Sequence, residues 1–147
     1  MSAYRISDYL ERIGDLVWNS ILHIQEITSQ EIFDKFTKLL EKMLSTSTEM
    51  VKRSIIAYNY SDKEYALWVI ENDESVDKLH QKLVERLVKK SNIGQNAKEL
   101  MTTFLSIRNI VSNIERIADQ ATNIAEAAIY SFEGIDIRHK KESSENI

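Results

Sequence analysis

The 147-residue sequence contains no cysteine and no proline, and it has only three glycines. The absence of cysteine excludes disulfides, thiolate metal ligands and a cysteine nucleophile. Proline and glycine are the residues that most often end or kink a helix, so their scarcity favours long helices. The sequence also lacks a secretory leader and any apolar run of the roughly 18 residues that a membrane span requires. These absences predict a soluble, cytoplasmic, helical protein.

Charge and composition further restrict the class of protein to which the chain can belong. Hydrophobic residues make up 43% and charged residues 29% of the chain, which is typical of a globular protein rather than a disordered one. The formal net charge is -4, and the lysines are scattered along the sequence. Because nucleic-acid binding favours a basic stripe, we expect no nucleic-acid partner. A chain of this length fits one compact domain.

Apolar residues recur at steps of three and four along most of the chain, which is the spacing of one helix face. The pattern predicts four helices, over about residues 4–27, 30–58, 62–90 and 96–132. Ser61 is the expected N-cap of the third helix, with Glu64 in the capping-box position, and Gly134 is expected to end the fourth. Residues 91–94 are a predicted loop and residues 135–147 a polar tail. Long helices with short links predict an all-α, antiparallel bundle of about four helices.

One helical segment occurs twice in the sequence. Residues 10–19 are LERIGDLVWN and residues 114–123 are IERIADQATN, so glutamate, arginine, isoleucine, aspartate and asparagine recur at identical spacing. Such an internal repeat indicates that the two helices have related surroundings. Gly14 and Ala118 hold equivalent positions, where a small residue allows a neighbouring helix to approach closely.

Each copy of the repeat places carboxylates on the side of the helix that faces away from its apolar side. Because a helical residue advances about 100°, Glu115 and Asp119 lie within about 40° of each other. Glu11 and Asp15 hold the same relation in the first helix. The apolar side of the fourth helix carries Ile110, Ile114, Ile117, Ala121, Ala125 and Ala128.

A third acidic pair, Asp73 and Asp77, lies on the third helix. If this helix packs antiparallel to the fourth, the pair meets Glu115 and Asp119, and four carboxylates surround one point. Carboxylates that crowd together raise one another's pKa unless a cation lies between them. Oxygen ligands without cysteine suit Mg²⁺, Mn²⁺ or iron, and also zinc. His80, three residues after Asp77, is an additional candidate ligand.

Two other interpretations of these acids remain open. The number of acidic pairs at a spacing of four residues is what chance gives in so acidic a chain, so the acids can be solvated faces neutralised by Arg12 and Arg116. The chain would then be a helical interaction adaptor that needs no metal. A di-iron carboxylate enzyme requires two inward Glu-x-x-His pairs, whereas the chain offers only Asp77-x-x-His80, so no enzyme activity is expected.

The repeated segments resemble the signature of the PhoU family. The resemblance lies in LERIGD followed by Asn19, in IERIADQATNIAEAAIY followed by a short link and Glu-Gly, and in VIENDESVDKL at residues 69–79. It covers about residues 4–138, with the segments in family order. It implies a regulator rather than an enzyme. Such a regulator restrains a phosphate ABC transporter and a sensor histidine kinase, and reaches the membrane only through these partners.

The resemblance also implies metal positions and a domain organisation. PhoU proteins bind iron, zinc or other divalent ions on acidic helix motifs, and the matching positions are Glu11, Asp15, Asp73, Asp77, Glu115 and Asp119. They consist of two similar three-helix bundles. Residues 1–28 match the last helix of a first bundle that lacks two helices, and residues 29–134 match a complete second bundle. The metal site at Glu11 and Asp15 then lacks the ligands that a missing helix would supply. The apolar face of the first helix is expected to pack on the rest of the bundle or on a second copy in a homodimer.

Overall fold

The computed structural model describes residues 2–91 and 97–134, which form four helices and no strand. Helix α1 spans Ser2–Gln25, α2 spans Gln30–Tyr60, α3 spans Lys63–Ser91 and α4 spans Ala97–Glu133. The predicted all-α bundle is thus confirmed. Of the predicted loop at 91–94, only Ser91 is described, as the last residue of α3, and the predicted tail lies outside the described residues.

Helix α4 is the central element, because it packs against each of the other three helices. Helices α2 and α3 also pack on each other, so α2, α3 and α4 enclose a shared hydrophobic core. The apolar side predicted for α4 is buried throughout: Ile110, Ile114, Ile117, Ala121, Ala125 and Ala128. None of the described helices has the length and apolar character needed to cross a membrane.

Helix α1 contacts only α4 among the described helices. The expectation that it packs on the bundle is therefore confirmed, but only for part of its predicted apolar face. Ile6 and Leu16 are buried against α4 and Ile13 is half-buried. Four other apolar residues at steps of three and four along α1 are exposed to solvent: Leu10, Val17, Ile21 and Ile24.

Arg53 makes an ion pair within α2 and cation–π contacts that join α2 to α3. Its Nε donates a hydrogen bond of 2.7 Å to Glu49, four residues earlier on the same helix. Its guanidinium group also lies 3.9 Å from the centre of the Trp68 ring and 5.5 Å from that of Tyr65. Cation–π contacts of this kind contribute about 0.5–1 kcal/mol each at exposed sites.

The turn between α2 and α3 corrects one prediction about helix ends. Ser61 does not cap α3, because it adopts a left-handed conformation, with φ of 54°, and ends α2. The cap is Asp62, whose carboxylate accepts hydrogen bonds from the backbone N–H groups of Glu64 and Tyr65 at 3.0 and 3.1 Å. Gly134 does end α4 as predicted, with φ of 68° and its N–H donating to Tyr130.

The link between α1 and α2 is held by one buried hydroxyl group of α4. The Thr103 Oγ1 atom accepts hydrogen bonds of 3.2 Å from the backbone N–H groups of both Thr28 and Ser29. It also lies 3.0 Å from the Thr28 hydroxyl. Further along, Asn113 donates to Ser20, which shows that α1 runs antiparallel to α4. These polar contacts determine where α1 sits on the bundle.

Replacing Thr103 with valine keeps the side-chain shape but removes the acceptor of two backbone N–H groups. We expect Thr103→Val to lower the free energy of unfolding by about 1 kcal/mol, because two backbone donors of a partly buried link lose their acceptor. Urea unfolding monitored by circular dichroism measures the change. Thr48→Val, at an exposed position of α2, is the matched control and should change stability little. Equal stability of the two variants would contradict the role given to Thr103.

Candidate acidic site between α3 and α4

The acidic residues of α3 and α4 come together as the sequence predicts. The Thr122 hydroxyl of α4 donates a 3.1 Å hydrogen bond to the Asp73 carboxylate of α3. Seven residues later on α3, the Nε2 atom of His80 lies 3.9 Å from the Oε2 atom of Glu115. The two contacts run in opposite directions along the chain, so α3 and α4 are antiparallel. Asp73, Asp77, Glu115 and Asp119 are called the acidic site below.

The electrostatic environment of Asp119 reflects the other three carboxyl groups of the acidic site. The pKa of Asp119 is raised to about 6, first because burial removes water from the carboxyl group and then because Asp73, Glu115 and Asp77 repel its charge. Arg116 acts in the opposite direction. Asp119 nonetheless has an exposed side chain, so desolvation is partial and solvent screens much of the repulsion. The acidic site is therefore a cluster of mutually repelling carboxyl groups at the bundle surface.

The donor set fits a hard cation in its chemistry but is not a finished coordination sphere. Four carboxylates and a neighbouring imidazole are ligands that divalent ions and iron accept. Among the described residues, however, no three His, Asp or Glu side chains are already placed to hold one ion. Ligation would thus require the side chains to rearrange.

The structure does not bring the first acidic pair to the others. Glu11 and Asp15 have exposed side chains on α1, and α1 makes no contact with α3. Neither α2 nor α3 contacts α1, so neither helix supplies acids that face this pair. In the part of the chain that the structure describes, this pair therefore has no second helix to complete a site.

Sequence reasoning missed one residue of the acidic site. Thr122 is buried, and its hydroxyl fixes the orientation of Asp73. A threonine three residues after Asp119 on the same side of α4 was the available signal. His80 was an additional candidate ligand from the sequence, and in the structure it lies beside Glu115 of the acidic site, across the helix pair.

Comparison of the sequence with known proteins identifies a family. The PhoU domain profile matches residues 40–128, which include the whole of α3 and all four members of the acidic site. The chain belongs to the PhoU family. The predicted family is thus confirmed, and the acids of α3 and α4 lie within its domain. No solved structure matches the chain.

Curated PhoU relatives cover most of this chain. A phosphate-specific transport system accessory protein PhoU homolog of Rhizobium meliloti (strain 1021) is 29% identical over 134 residues, which is 91% of this chain and 55% of the relative. The homolog of Zymomonas mobilis is 31% identical over the same shares, and that of Thermotoga maritima is 25% identical over 91% and 56%. The chain thus spans a little over half the length of these relatives.

The raised pKa of Asp119 predicts a pH dependence of stability in the metal-free protein. A raised pKa means that the folded state binds the proton more tightly, so this contribution is present at low pH and is lost as pH rises through about 6. Asp119→Asn should therefore increase the free energy of unfolding at pH 7.5, by less than about 1 kcal/mol because the group is exposed. Most of the gain should be lost at pH 4.5, and all of it below the ordinary carboxyl pKa of 3.8. Thermal unfolding in the presence of a chelator measures both.

Asp15→Asn is the matched control, because Asp15 holds the equivalent position of the repeat without facing acids from another helix. Its effect on stability should be the same at both pH values. If Asp119→Asn is neutral or destabilising at pH 7.5, the repulsion inferred for the acidic site is wrong.

Proposed function

We propose that the chain is a metal-dependent negative regulator of phosphate uptake and phosphate-starvation signalling. It acts by contact with a phosphate ABC transporter and with a sensor histidine kinase, in the cytoplasm and without enzyme activity of its own. Membership of the PhoU family supports a role in phosphate transport, since the curated relatives are named as accessory proteins of phosphate-specific transport systems. The observation that carries the metal dependence is the convergence of four carboxylates at the acidic site.

The chemistry of the acidic site explains what a cation would do there. A divalent ion or iron supplies the positive charge that offsets repulsion among Asp73, Asp77, Glu115 and Asp119. Thr122 keeps the Asp73 carboxylate directed toward α4. Since the four acids come from two helices, an ion held between them would also stabilise the α3–α4 contact.

The position of the site suits a regulator that works by contact. Asp119 and Arg116 are exposed on the face of α4 that no other described helix covers. A partner protein can therefore approach the site directly, and the charge of this surface changes when metal binds. The metal is thus proposed to control which partner surface the bundle accepts.

An adaptor that needs no metal is the second candidate. It is favoured by the absence, among residues 2–91 and 97–134, of three acids or histidines already placed around one point. In this case Arg116 offsets part of the charge of Asp119, and the acidic surface binds a basic partner directly.

Metal content separates the two candidates. A variant that combines Asp73→Asn, Asp77→Asn, Glu115→Gln and Asp119→Asn removes four charges while keeping the side-chain size. We expect it to lose bound Fe, Zn or Mn in elemental analysis and to lose Mn²⁺ binding in calorimetry. Glu11→Gln with Asp15→Asn is the control, and it should keep most of the metal because that pair has no facing helix. Circular dichroism checks that both variants remain helical. Metal content that is unchanged in the fourfold variant would favour the metal-free adaptor.

A further inference from the structure

A cavity of about 300 Å³ opens at the end of the bundle where α3 ends and where α2 and α4 begin. Its walls come from the first turns of α2, from Lys90 of α3 and from Leu100 and Phe104 of α4. We call it the end cavity. Lys90 follows Asp77 of the acidic site by 13 residues, which is about 20 Å along a helix, so the two places are separate. Cavities that hold small molecules begin at about 300 Å³.

One wall of the end cavity is apolar and rests on the core. It is formed by Ile32, Leu100 and Phe104. Phe104 is 9% exposed, and its ring packs edge to face on the buried ring of Phe36, with 6.4 Å between the ring centres. Ile32 and Leu100 also pack on the core but keep part of their surface in solvent. An apolar group that enters the cavity therefore meets a supported apolar wall and leaves water, which is favourable.

The rest of the lining is polar and has a net positive charge. Lys35 donates a 2.8 Å hydrogen bond to Glu31, so these two opposite charges offset each other. Lys90 forms no ion pair with a carboxylate in the described part of the chain. Its ammonium group lies 5.9 Å from the centre of the Phe36 ring instead. One uncompensated positive charge therefore stands beside the apolar wall.

The start of α2 adds hydrogen-bond donors at the same place. Ser29 is the N-cap residue of α2, and its side chain makes no capping hydrogen bond. The first N–H groups of a helix have no acceptor within the helix, and they carry a partial positive charge. Because Ser29, Glu31 and Ile32 line the cavity, these donors supplement the charge of Lys90 toward an anion held there.

We propose that the end cavity binds a small amphipathic monocarboxylate. The apolar chain of the ligand packs on Ile32, Leu100 and Phe104, and its carboxylate lies at Lys90 and the start of α2. A single negative charge matches the single uncompensated lysine. A neutral apolar molecule would leave that charge unpaired, and a plain anion would leave the apolar wall wet. Since a water molecule occupies about 30 Å³, the cavity has room for about ten non-hydrogen atoms, as many as octanoate contains.

The test is a titration of the full 147-residue chain with octanoate, followed through the amide signals in two-dimensional NMR spectra. Octanoate should shift the signals of residues 29–35 and 100–104. Its dissociation constant should be at least about tenfold lower than those of octan-1-ol and acetate, since the first lacks the charge and the second the apolar chain. Lys90→Gln should raise the dissociation constant of octanoate by at least about fivefold, because the charged donor is lost. Leu100→Trp should abolish binding by filling the cavity.

Two matched controls lie outside the end cavity. Lys89→Gln removes a charge from the neighbouring exposed position of α3, and Leu105→Trp adds an indole ring at an exposed position of α4. Both should leave octanoate binding unchanged. Circular dichroism establishes the helical content of each variant, and Lys90→Gln, at an exposed position, keeps the test decisive should Leu100→Trp disturb folding.

Four results overturn the proposal. The first is a chain that binds no octanoate, and the second is binding of octan-1-ol or acetate as tight as that of octanoate. The third is a set of shifted signals confined to α1, which would place the ligand on the exposed apolar side chains of that helix. The fourth is an equal effect of Lys89→Gln and Lys90→Gln on the dissociation constant.

Discussion

The close approach of α2 and α3 to α4 is the contact on which the rest of the structure depends. It is possible because α4 presents alanines at the positions where the helices meet, with Ala118, Ala121, Ala125 and Ala128 almost completely buried. Small side chains let helix axes come near each other, and larger residues such as Met43, Met50, Val69 and Val76 fill the space around them. Helix α1 covers a further side of α4, so only one strip of α4 remains exposed to solvent.

That packing also creates the acidic site. The solvent strip of α4 borders α3, and Glu115 and Asp119 lie at this border, so the contact that buries the alanines also brings the carboxylates of α3 close. The electrostatic strain recorded in the raised pKa of Asp119 is a consequence of helix packing. Thr122 connects the packed core with the acidic site, because it is buried with the core residues while its hydroxyl donates a hydrogen bond to Asp73.

The two copies of the repeated helix show how one sequence pattern serves two environments. In α4 the apolar positions are covered by two helices, whereas α1 has α4 alone as its neighbour among the described elements. The side chains differ accordingly, since α1 has Val17, Ile21 and Ile24 where α4 has alanines. The chain spans a little over half of its curated relatives, and α1 lies before the region that matches the PhoU domain profile.

Local patterns in the sequence were sufficient to predict the helices, their approximate ends, the buried side of α4 and the acids that share a face within α3 and within α4. These properties follow from helical periodicity, in which spacing alone determines which residues share a face. The tertiary structure decided three other matters. Ser61 ends α2 and leaves the capping of α3 to Asp62, because the chain must reverse there with a left-handed residue. His80 meets Glu115 across the helix pair, a contact that depends on the register between two helices. The apolar face of α1 is only partly covered, because burial depends on how many helices surround an element, and no single helix encodes that number.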